Sequence, residues 1–387
     1  MNPYDLTDEE LLIRQTAREF AEKEVRPLAA EIDRTHTFPL PLLKKMAEPG
    51  FTGALAPEEY GGSGLGTLGL ALITEELNRV CASTGVTFSV HASLATTPIL
   101  RFGTEAQKKK YLPQIARVDR IGAYCLSEPS CGSDAAALVT AAKKDGDAYV
   151  LDGAKNFITN GGFATLLIVF ARTNPDLTLR HKGISAFIVE RETPGIDVGA
   201  PEKKMGIRGS STTQVFFSGC RVPAENRLGA EGEGFKVALG TLDGGRIGIA
   251  AQALGIAQAC LEASTAYAKQ RKQFDRPIAD FQAVQWKIAR MATDLDAARL
   301  LVYRAARLRD AGAPHTKESA MAKLFASGVA VDASREAVQI HGGAGYTREH
   351  PVERYFRDAK ITEIYEGTSE IQKMVVAREV LHQKESV

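Results

Sequence analysis

The spacing of apolar residues changes twice along the chain, and this pattern limits the folds that it can adopt. Up to about residue 120, apolar side chains recur at helical spacing, as in residues 5–33. From about residue 121 to residue 228 the pattern becomes short runs rich in β-branched and aromatic residues, bounded by Gly, Asn, Asp and Pro. Near Gly234 the helical spacing returns. The sequence therefore predicts an α+β protein with a β-sheet or barrel-like domain between two helical domains. The predicted domains span residues 1–120, 121–228 and 229–387.

Each predicted domain has identifiable elements. In the first, further helices are predicted at residues 40–46, 68–80 and 105–116, with Gly103 and Pro113 as breaks. In the second, the strand-like runs are IGAYCL, AYVLDG, ATLLIVFAR, GISAFIVE and TQVFFSGCRV. In the third, helices are predicted at residues 247–268, 283–309, 318–340 and 368–381. The segment 247–268 is apolar on nearly every side, which predicts a buried helix in a bundle.

The net charge, the cysteines and the apolar runs argue against several classes of protein. The net charge of +1 gives no electrostatic footprint for a nucleic acid. The chain contains no run of about 18 uncharged apolar residues, so no membrane-spanning helix is predicted. The five cysteines form no Cys-x-x-Cys pair and their number is odd, which argues against a disulfide framework and a zinc site. The first residues, MNPYDLTDEE, lack the apolar core of a signal peptide. We therefore expect a cytoplasmic protein, or a mitochondrial matrix protein if a transit peptide has been removed.

One glycine pattern resembles a dinucleotide-binding loop. Gly64, Gly66 and Gly69 have the G-x-G-x-x-G spacing, but that fingerprint needs a preceding strand and an acidic residue about 20 positions later. No Asp or Glu occurs between Leu77 and Thr104, and no βαβ pattern surrounds the motif. We interpret these glycines as a loop at the start of a helix.

Two loops at strand ends are candidate binding segments. Residues 124–134, YCLSEPSCGSD, supply hydroxyls and backbone N–H groups that can bind polar ring atoms or phosphates, although an ordinary strand-end loop has the same composition. In residues 155–162, KNFITNGG, an aromatic ring beside a hydroxyl suits a planar cofactor. A turn at Asn160-Gly161 explains the same glycine equally well.

Several polar residues near helix ends also allow two interpretations. Asp243 and Arg246, in the motif LDGGR, are predicted near the start of the buried helix and either pair with each other or bind a ligand. Arg271 follows that helix, where a cation interacts favourably with the helix dipole. Residues 339–343, QIHGG, form an ordinary helix C-cap sequence.

Glu366 is the strongest candidate for a reactive group. It stands in ITEIYEGTSEIQ, residues 361–372, between a β-branched run and a helix for which Ser369 is the predicted N-cap. Gly367 permits unusual backbone angles, and N–H groups near a helix start can receive a developing oxyanion. Such a carboxylate suits abstraction of a proton next to a carbonyl, whereas a solvated loop glutamate is the alternative interpretation.

Taken together, four segments resemble the acyl-CoA dehydrogenase family: AYCLSEPSCGSD, KNFITNGG, LDGGRIGIAAQALGIAQ and QIHGGAGYTREHPVERYFRDAKITEIYEGTSEIQ. The resemblance spans the chain, and the last two segments most resemble the short-chain, butyryl-CoA type. It implies an N-terminal helical domain, a β domain, a C-terminal four-helix bundle, non-covalently bound FAD and a homotetramer. The implied reaction is α,β-dehydrogenation of an acyl-CoA in fatty acid β-oxidation, with electrons passed to electron-transfer flavoprotein.

The resemblance also assigns roles to residues. Glu366 matches the catalytic base, whose pKa an apolar pocket should raise toward about 6–7. Ser133, Asp243, Arg246 and Gly367 match positions that contact the acyl-CoA. FAD contacts are implied for Tyr124, Cys125, Leu126, Ser127, Ser133, Phe157, Ile158, Thr159, Thr368 and Glu370. Contacts to FAD across a subunit interface are implied for Arg271, Phe274, Gln282, Gln339, Gly342 and Gly343.

The sequence departs from the family pattern at a few positions. Ser130 and Cys131 interrupt the usual EPGxGSD loop, and Phe157 replaces the frequent Trp. One branch of the family places its base on the helix near Arg246, but here that residue is Gly245, which leaves Glu366 as the candidate. The alternatives are an acyl-CoA oxidase, a branched-chain (isobutyryl or 2-methylbutyryl) acyl-CoA dehydrogenase and a non-catalytic helical scaffold of the same fold.

Overall fold

The N-terminal part of the chain is helical, as the apolar spacing predicts. The computed structural model describes residues 5–382, so the ends of the first and third predicted domains lie outside the described residues. The helices are α1 (Asp8–Phe20), α2 (Ala29–Thr35), α3 (Leu40–Lys45), α4 (Gly66–Val80), α5 (Ala82–Ser89), α6 (Thr96–Phe102) and α7 (Glu105–Ala116). The helix predicted over 5–33 is divided by a π-helical turn at Ala21–Val25 and a 3-10 turn at Arg26–Leu28. Pro113, a predicted break, lies inside α7.

The middle part forms one mixed sheet of eight strands. They are β1 (Gly122–Cys125), β2 (Ala141–Asp145), β3 (Ala148–Thr159), β4 (Leu166–Arg172), β5 (Ile184–Glu190), β6 (Ile196–Val198), β7 (Thr212–Pro223) and β8 (Arg227–Leu228). The order is β6-β7-β3-β2-β4-β5-β8, and β1 pairs with β4 in parallel. The five predicted runs coincide with β1, β3, β4, β5 and β7. The other strands, β2, β6 and β8, were not predicted, because they are short or charged and have no comparable apolar run.

The C-terminal part is built around one long buried helix. After it comes a two-stranded ribbon, β9 (Lys272–Gln273) and β10 (Arg276–Pro277). The helices are α8 (Gly234–Gln270), α9 (Gln282–Asp310), α10 (Thr316–His341), α11 (Val352–Ala359) and α12 (Ser369–Leu381). Helix α8 packs against α9, α10 and α4, and α12 packs against α10. Together these parts confirm the predicted fold class of helical, β and helical-bundle regions.

Helix α8 begins 13 residues before its predicted start at 247, because Gly240, Gly244 and Gly245 lie within the helix rather than in a loop before it. Within the described residues, α8 alone is long and apolar enough to cross a membrane by length and composition. However, 78% of its most apolar window is buried inside the protein. This burial identifies α8 as the central helix of the C-terminal core.

The glycine-rich loop before α4 has no strand ahead of it, and a carboxylate occupies its helix start. The backbone N–H groups of Thr67 and Leu68 donate to Asp310 Oδ1 and Oδ2, at 2.7 and 3.0 Å. Asp310 thus satisfies helix N–H groups that have no partner within the helix itself. Of the three glycines interpreted as a loop at the helix start, Gly64 lies in the loop, whereas Gly66 is the first residue of α4 and Gly69 lies inside the helix.

Candidate active site

Glu366 lies at a sharp reversal of the chain just before α12. Its φ is +51°, and that of Gly367 is +96°. A positive φ is uncommon for a non-glycine residue and is found where surrounding contacts hold the backbone. Helix α12 begins after Thr368, whose hydroxyl accepts a hydrogen bond from the Ile371 N–H, so the N-cap is Thr368 and the prediction of Ser369 is wrong by one residue. The reversal turns the Glu366 side chain toward α8.

The Glu366 carboxylate reaches the surface of α8 at a glycine. A Cβ atom built on Gly245 would lie 2.3 Å from Glu366 Oε2 and 2.9 Å from Leu94 Cδ2. Glu366 Oε2 is buried and has no hydrogen-bond partner among the described residues. Burial raises the pKa of Glu366 to about 7, while Lys323 and Arg246 oppose this rise. The pKa shift has the direction expected from the sequence.

We expect Gly245→Ala to lower the rate of the acyl-CoA oxidation that the family resemblance implies about 10- to 100-fold, because its methyl group and the Glu366 carboxylate cannot occupy the same space. The rate should be measured under anaerobic conditions as flavin reduction by butyryl-CoA. Gly328→Ala in α10 is the matched control, since a Cβ there meets nothing within 4 Å. A Gly245→Ala enzyme as fast as the control would show that the carboxylate does not need this position.

Asp243 and Arg246 form a pair inside α8, two turns or more beyond its start. Arg246 Nη1 donates to Asp243 Oδ1 at 2.6 Å, and the Thr316 hydroxyl donates to Asp243 Oδ2 at 2.9 Å. Arg246 Nε is buried without a partner among the described residues. Burial lowers the pKa of Arg246, and the carboxylates of Asp243 and Glu366 oppose this effect. The predicted pairing is therefore present, and an unused donor remains near Glu366.

Two residues near Glu366 were missed by the sequence prediction. The carbonyl oxygen of Gly367 accepts hydrogen bonds from Lys323 Nζ at 2.6 Å and from Gln372 Nε2 at 2.9 Å. Lys323 is fully buried among alanines of α10. A lysine at a core position of an alanine-rich helix is the sequence signal that could have identified it, because buried lysines need a partner.

Strand β1 approaches the same region through Tyr124, and the loop after β1 follows directly. The Tyr124 hydroxyl donates to the Ala238 carbonyl oxygen at 3.2 Å, and burial together with the nearby Glu366 carboxylate raises its pKa. Leu126 is buried, Ser127 is half-buried and Ser133 is exposed. The side chain of Cys125 is instead fully buried in the core of the β domain. A cofactor contact by Cys125 is therefore limited to its backbone atoms.

Phe157 is held in an outward position by an irregularity in the sheet. The register between β3 and β7 shifts between Lys155 and Ile158, and Phe157 has φ +57°. Its ring is 64% exposed, whereas Ile158 points into the core of the β domain and can offer a cofactor only its backbone. Bulges of this kind often re-aim a side chain beside an active site. An exposed aromatic ring followed by the half-buried Thr159 fits the planar flavin of FAD.

A buried ion pair ties the two candidate flavin loops together. Lys155 Nζ donates to Glu128 Oε1 at 2.7 Å and to the Leu126 carbonyl oxygen at 3.2 Å. The Glu128 carboxylate also accepts from the N–H groups of Val139 and Thr140, at 2.7 and 3.0 Å. Both charged side chains are almost completely buried. The sequence prediction did not include this pair.

The residues implied for a subunit interface lie at the surface of one chain, and Arg271 is far from Glu366. Arg271 follows Gly245 by about 26 residues along the continuous helix α8, a distance of roughly 39 Å. Phe274 is 87% exposed, and Gly342 and Gly343 have open space where a Cβ would lie. Gln282 and Gln339 are also exposed. The distance along α8 separates Arg271 from the Glu366 site, and the other members of this group are exposed. Glu370 is exposed on α12, four residues after Glu366, so it belongs with the implied FAD contacts of the same chain.

Comparison with known proteins identifies the family. Models of the N-terminal, middle and C-terminal domains of acyl-CoA dehydrogenases match residues 7–119, 123–220 and 232–381. The short-chain specific acyl-CoA dehydrogenase of Clostridium acetobutylicum is 52% identical over 97% of this chain and 99% of its own length. The acryloyl-CoA reductase (NADH) of Anaerotignum propionicum is 51% identical over 98% and 96%.

A solved structure shows the same arrangement of domains. The butyryl-CoA dehydrogenase of Megasphaera elsdenii superposes with a TM-score of 0.95 at 46% identity, covering 98% of this chain and 99% of that one.

In the described residues, no group of three or more His, Cys, Asp or Glu side chains could hold a metal ion. The cofactor of this enzyme is FAD, in agreement with the resemblance of its flavin loops. The chain belongs to the acyl-CoA dehydrogenase family of oxidoreductases.

Proposed function

We propose that this protein converts a short-chain acyl-CoA to the trans-2-enoyl-CoA, with Glu366 as the base that removes the α-proton. The observation that carries the proposal is the buried, unpartnered carboxylate of Glu366 opposite Gly245, with a pKa raised to about 7. A base with a pKa near the working pH combines a populated charged form with a strong tendency to take up a proton.

The chain's own residues position the substrate and hold the proton. The α-carbon lies against Glu366, and the thioester oxygen accepts a hydrogen bond from the backbone N–H of Glu366, which makes the α-hydrogen more acidic. The proton then moves to the Glu366 carboxylate, where burial favours the neutral form. FAD, when bound beside this site, would supply the acceptor for the β-hydrogen, which leaves with its electron pair as a hydride. Ser133, Asp243, Arg246 and Gly367 contact the acyl-CoA.

Two groups of residues are proposed to hold the cofactor. Tyr124, Leu126, Ser127, Ser133, Phe157, Thr159, Thr368 and Glu370 would hold FAD in the same chain, together with the backbone of Cys125 and Ile158. Arg271, Phe274, Gln282, Gln339, Gly342 and Gly343 would hold it from a second copy. The separation of the two groups along α8 supports this division. It also supports an assembly of at least two copies, and the homotetramer stays a prediction.

A comparison of acyl-CoA substrates tests the function and the chain length. We expect anaerobic bleaching of the flavin by butyryl-CoA and slower reduction by straight chains from C8 to C16, since the relatives include short-chain specific enzymes. Initial rates with a dye acceptor across C4 to C16 acyl-CoAs, with isobutyryl- and 2-methylbutyryl-CoA included, provide the measurement. No bleaching by any of these compounds would reject the proposal, and a preference for a branched chain would replace its substrate.

A second candidate is reduction of a 2-enoyl-CoA at the same site. A close relative is named acryloyl-CoA reductase (NADH). A group with a pKa of about 7 can return a proton to the α-carbon as readily as it removes one. NADH-dependent reduction of acryloyl-CoA that exceeds oxidation of butyryl- or propionyl-CoA would favour this direction.

The remaining roles follow from the same proposal. The acyl-CoA oxidase alternative predicts rapid peroxide formation in air, whereas transfer to electron-transfer flavoprotein predicts little. The scaffold alternative is wrong, since the chain belongs to a family of enzymes. Participation in fatty acid β-oxidation and a location in the cytoplasm or the mitochondrial matrix stay predictions.

A further inference from the structure

Lys323 is a buried cation beside the segment that carries Glu366. It lies in α10, its side chain is 0% exposed, and the neighbouring core positions Ala320, Ala322 and Ala326 are small. Lysine is almost never fully buried without a partner. Its position therefore requires a specific interaction, and that interaction is with the backbone of the Glu366 segment rather than with a carboxylate.

Two side chains of α10 bind opposite ends of this segment. Lys323 Nζ donates to the Gly367 carbonyl oxygen at 2.6 Å, and Ser327 Oγ donates to the Thr362 carbonyl oxygen at 2.8 Å. Residues four apart lie on the same face of a helix, so one face of α10 holds both ends. Glu366, with φ +51°, lies between them. A backbone in this region of φ persists only where surrounding contacts fix it.

Lys323 and Arg246, the two cations near Glu366, differ in how far their charges are neutralised by other groups. The charged and titratable groups that face Glu366 are Lys323 from α10, Arg246 from α8, Tyr124 from β1 and Tyr365 from its own segment. Arg246 forms a direct ion pair with Asp243. Lys323 instead binds a neutral carbonyl, with Glu363 and Glu370 as more distant acidic neighbours. The positive charge of Lys323 is therefore less neutralised than that of Arg246, and it attracts the Glu366 carboxylate more strongly.

We propose that Lys323 is a positioning residue of the reaction, which holds the Gly367 carbonyl so that Glu366 faces Gly245 and which favours the ionised form of Glu366. This inference rests on the proposed role of Glu366 as the base. In this role Lys323 acts through the Gly367 carbonyl oxygen that it binds. Burial lowers its own pKa to about 8, which is above that of Glu366, so Lys323 is mostly charged at the pH where Glu366 is half ionised.

The test is the pH dependence of anaerobic flavin reduction by butyryl-CoA in the FAD-loaded enzyme. In the wild type, the rate should rise with pH around a midpoint near 7, since the reaction needs ionised Glu366. Lys323→Met removes both the charge and the hydrogen bond. Its midpoint should move up by about one pH unit, so at pH 6 its rate, as a fraction of its own plateau, should be about tenfold lower than that of the wild type.

Three further variants separate charge, hydrogen bonding and simple stability. Lys323→Gln keeps a donor without charge and should show the same upward shift, which also provides the test if Lys323→Met does not fold. Lys323→Arg keeps the charge and should restore the midpoint. Ser327→Ala removes the other bond from α10, and its midpoint should match the wild type whatever its stability.

The outcomes distinguish this inference from the proposed function. If the wild type is not reduced by any acyl-CoA, the proposed function fails. If the wild type is reduced and a folded, FAD-loaded Lys323→Met or Lys323→Gln enzyme keeps the wild-type midpoint, the role of Lys323 is rejected. An equal upward shift in Ser327→Ala would also reject it, because the effect would then belong to any loosening of the segment.

Discussion

Glu366→Gln should keep its yellow FAD but reduce it about 100- to 10,000-fold more slowly with butyryl-CoA than the wild type does. Glutamine has nearly the same shape as glutamate but cannot accept the α-proton, and a positioned general base typically contributes a factor of this size. Glu366 Oε2 has no hydrogen-bond partner among the described residues, so replacing this oxygen with the glutamine NH2 group breaks no hydrogen bond to them. The measurement is the anaerobic decay of flavin absorbance in a stopped-flow instrument.

Glu379→Gln is the matched control for this substitution. Glu379 lies on α12 and pairs with Arg378 at the surface, so the same chemical change there should leave the bleaching rate within about twofold of the wild type. Flavin content and the thermal unfolding midpoint of both variants should match the wild type. If Glu366→Gln bleaches at the wild-type rate, another group removes the proton and the proposed mechanism is wrong.

Lys155→Met should destabilise the protein by about 3–5 kcal/mol and release much of its FAD. The substitution leaves the Glu128 carboxylate buried without its cation, and removing one partner of a buried ion pair has a cost of this size. The same lysine holds the Leu126 carbonyl oxygen, so the loop proposed to contact the flavin loses two of its attachments. Denaturant unfolding and the ratio of flavin to protein absorbance after gel filtration measure the two effects.

Two variants control for the loss of a lysine. Lys143→Met changes an exposed lysine on β2 and should shift stability by no more than about 0.5 kcal/mol. The double variant Lys155→Met/Glu128→Gln removes the unpaired charge and should recover part of the lost stability. If the double variant is as unstable as the sum of two independent losses, the pair does not act as a unit and the explanation fails.

The sequence predicted most elements whose signals are local. The helices at 40–46, 68–80 and 105–116 agree closely with α3, α4 and α7, because apolar spacing and capping residues depend on near neighbours. The start of α8 was misplaced because the continuous apolar spacing begins only at Ile247, whereas the helix also contains Gly240, Gly244 and Gly245. In the folded chain they allow close approach of neighbouring groups, as Gly245 does for the Glu366 carboxylate. Helix α11 was missed, although α12 after it was found.

The sequence by itself determined the helical, β and helical order, and it singled out Glu366 as a carboxylate next to a glycine before a helix. Only the tertiary structure decided what that carboxylate meets. The contacts of Glu366 with the Gly245 region, of Lys323 with Gly367, and of Asp310 with Thr67 join residues that are 44 to 243 positions apart. No local pattern encodes such contacts, because they depend on how whole helices pack. That packing removes water from Glu366 and thereby raises its pKa to about 7.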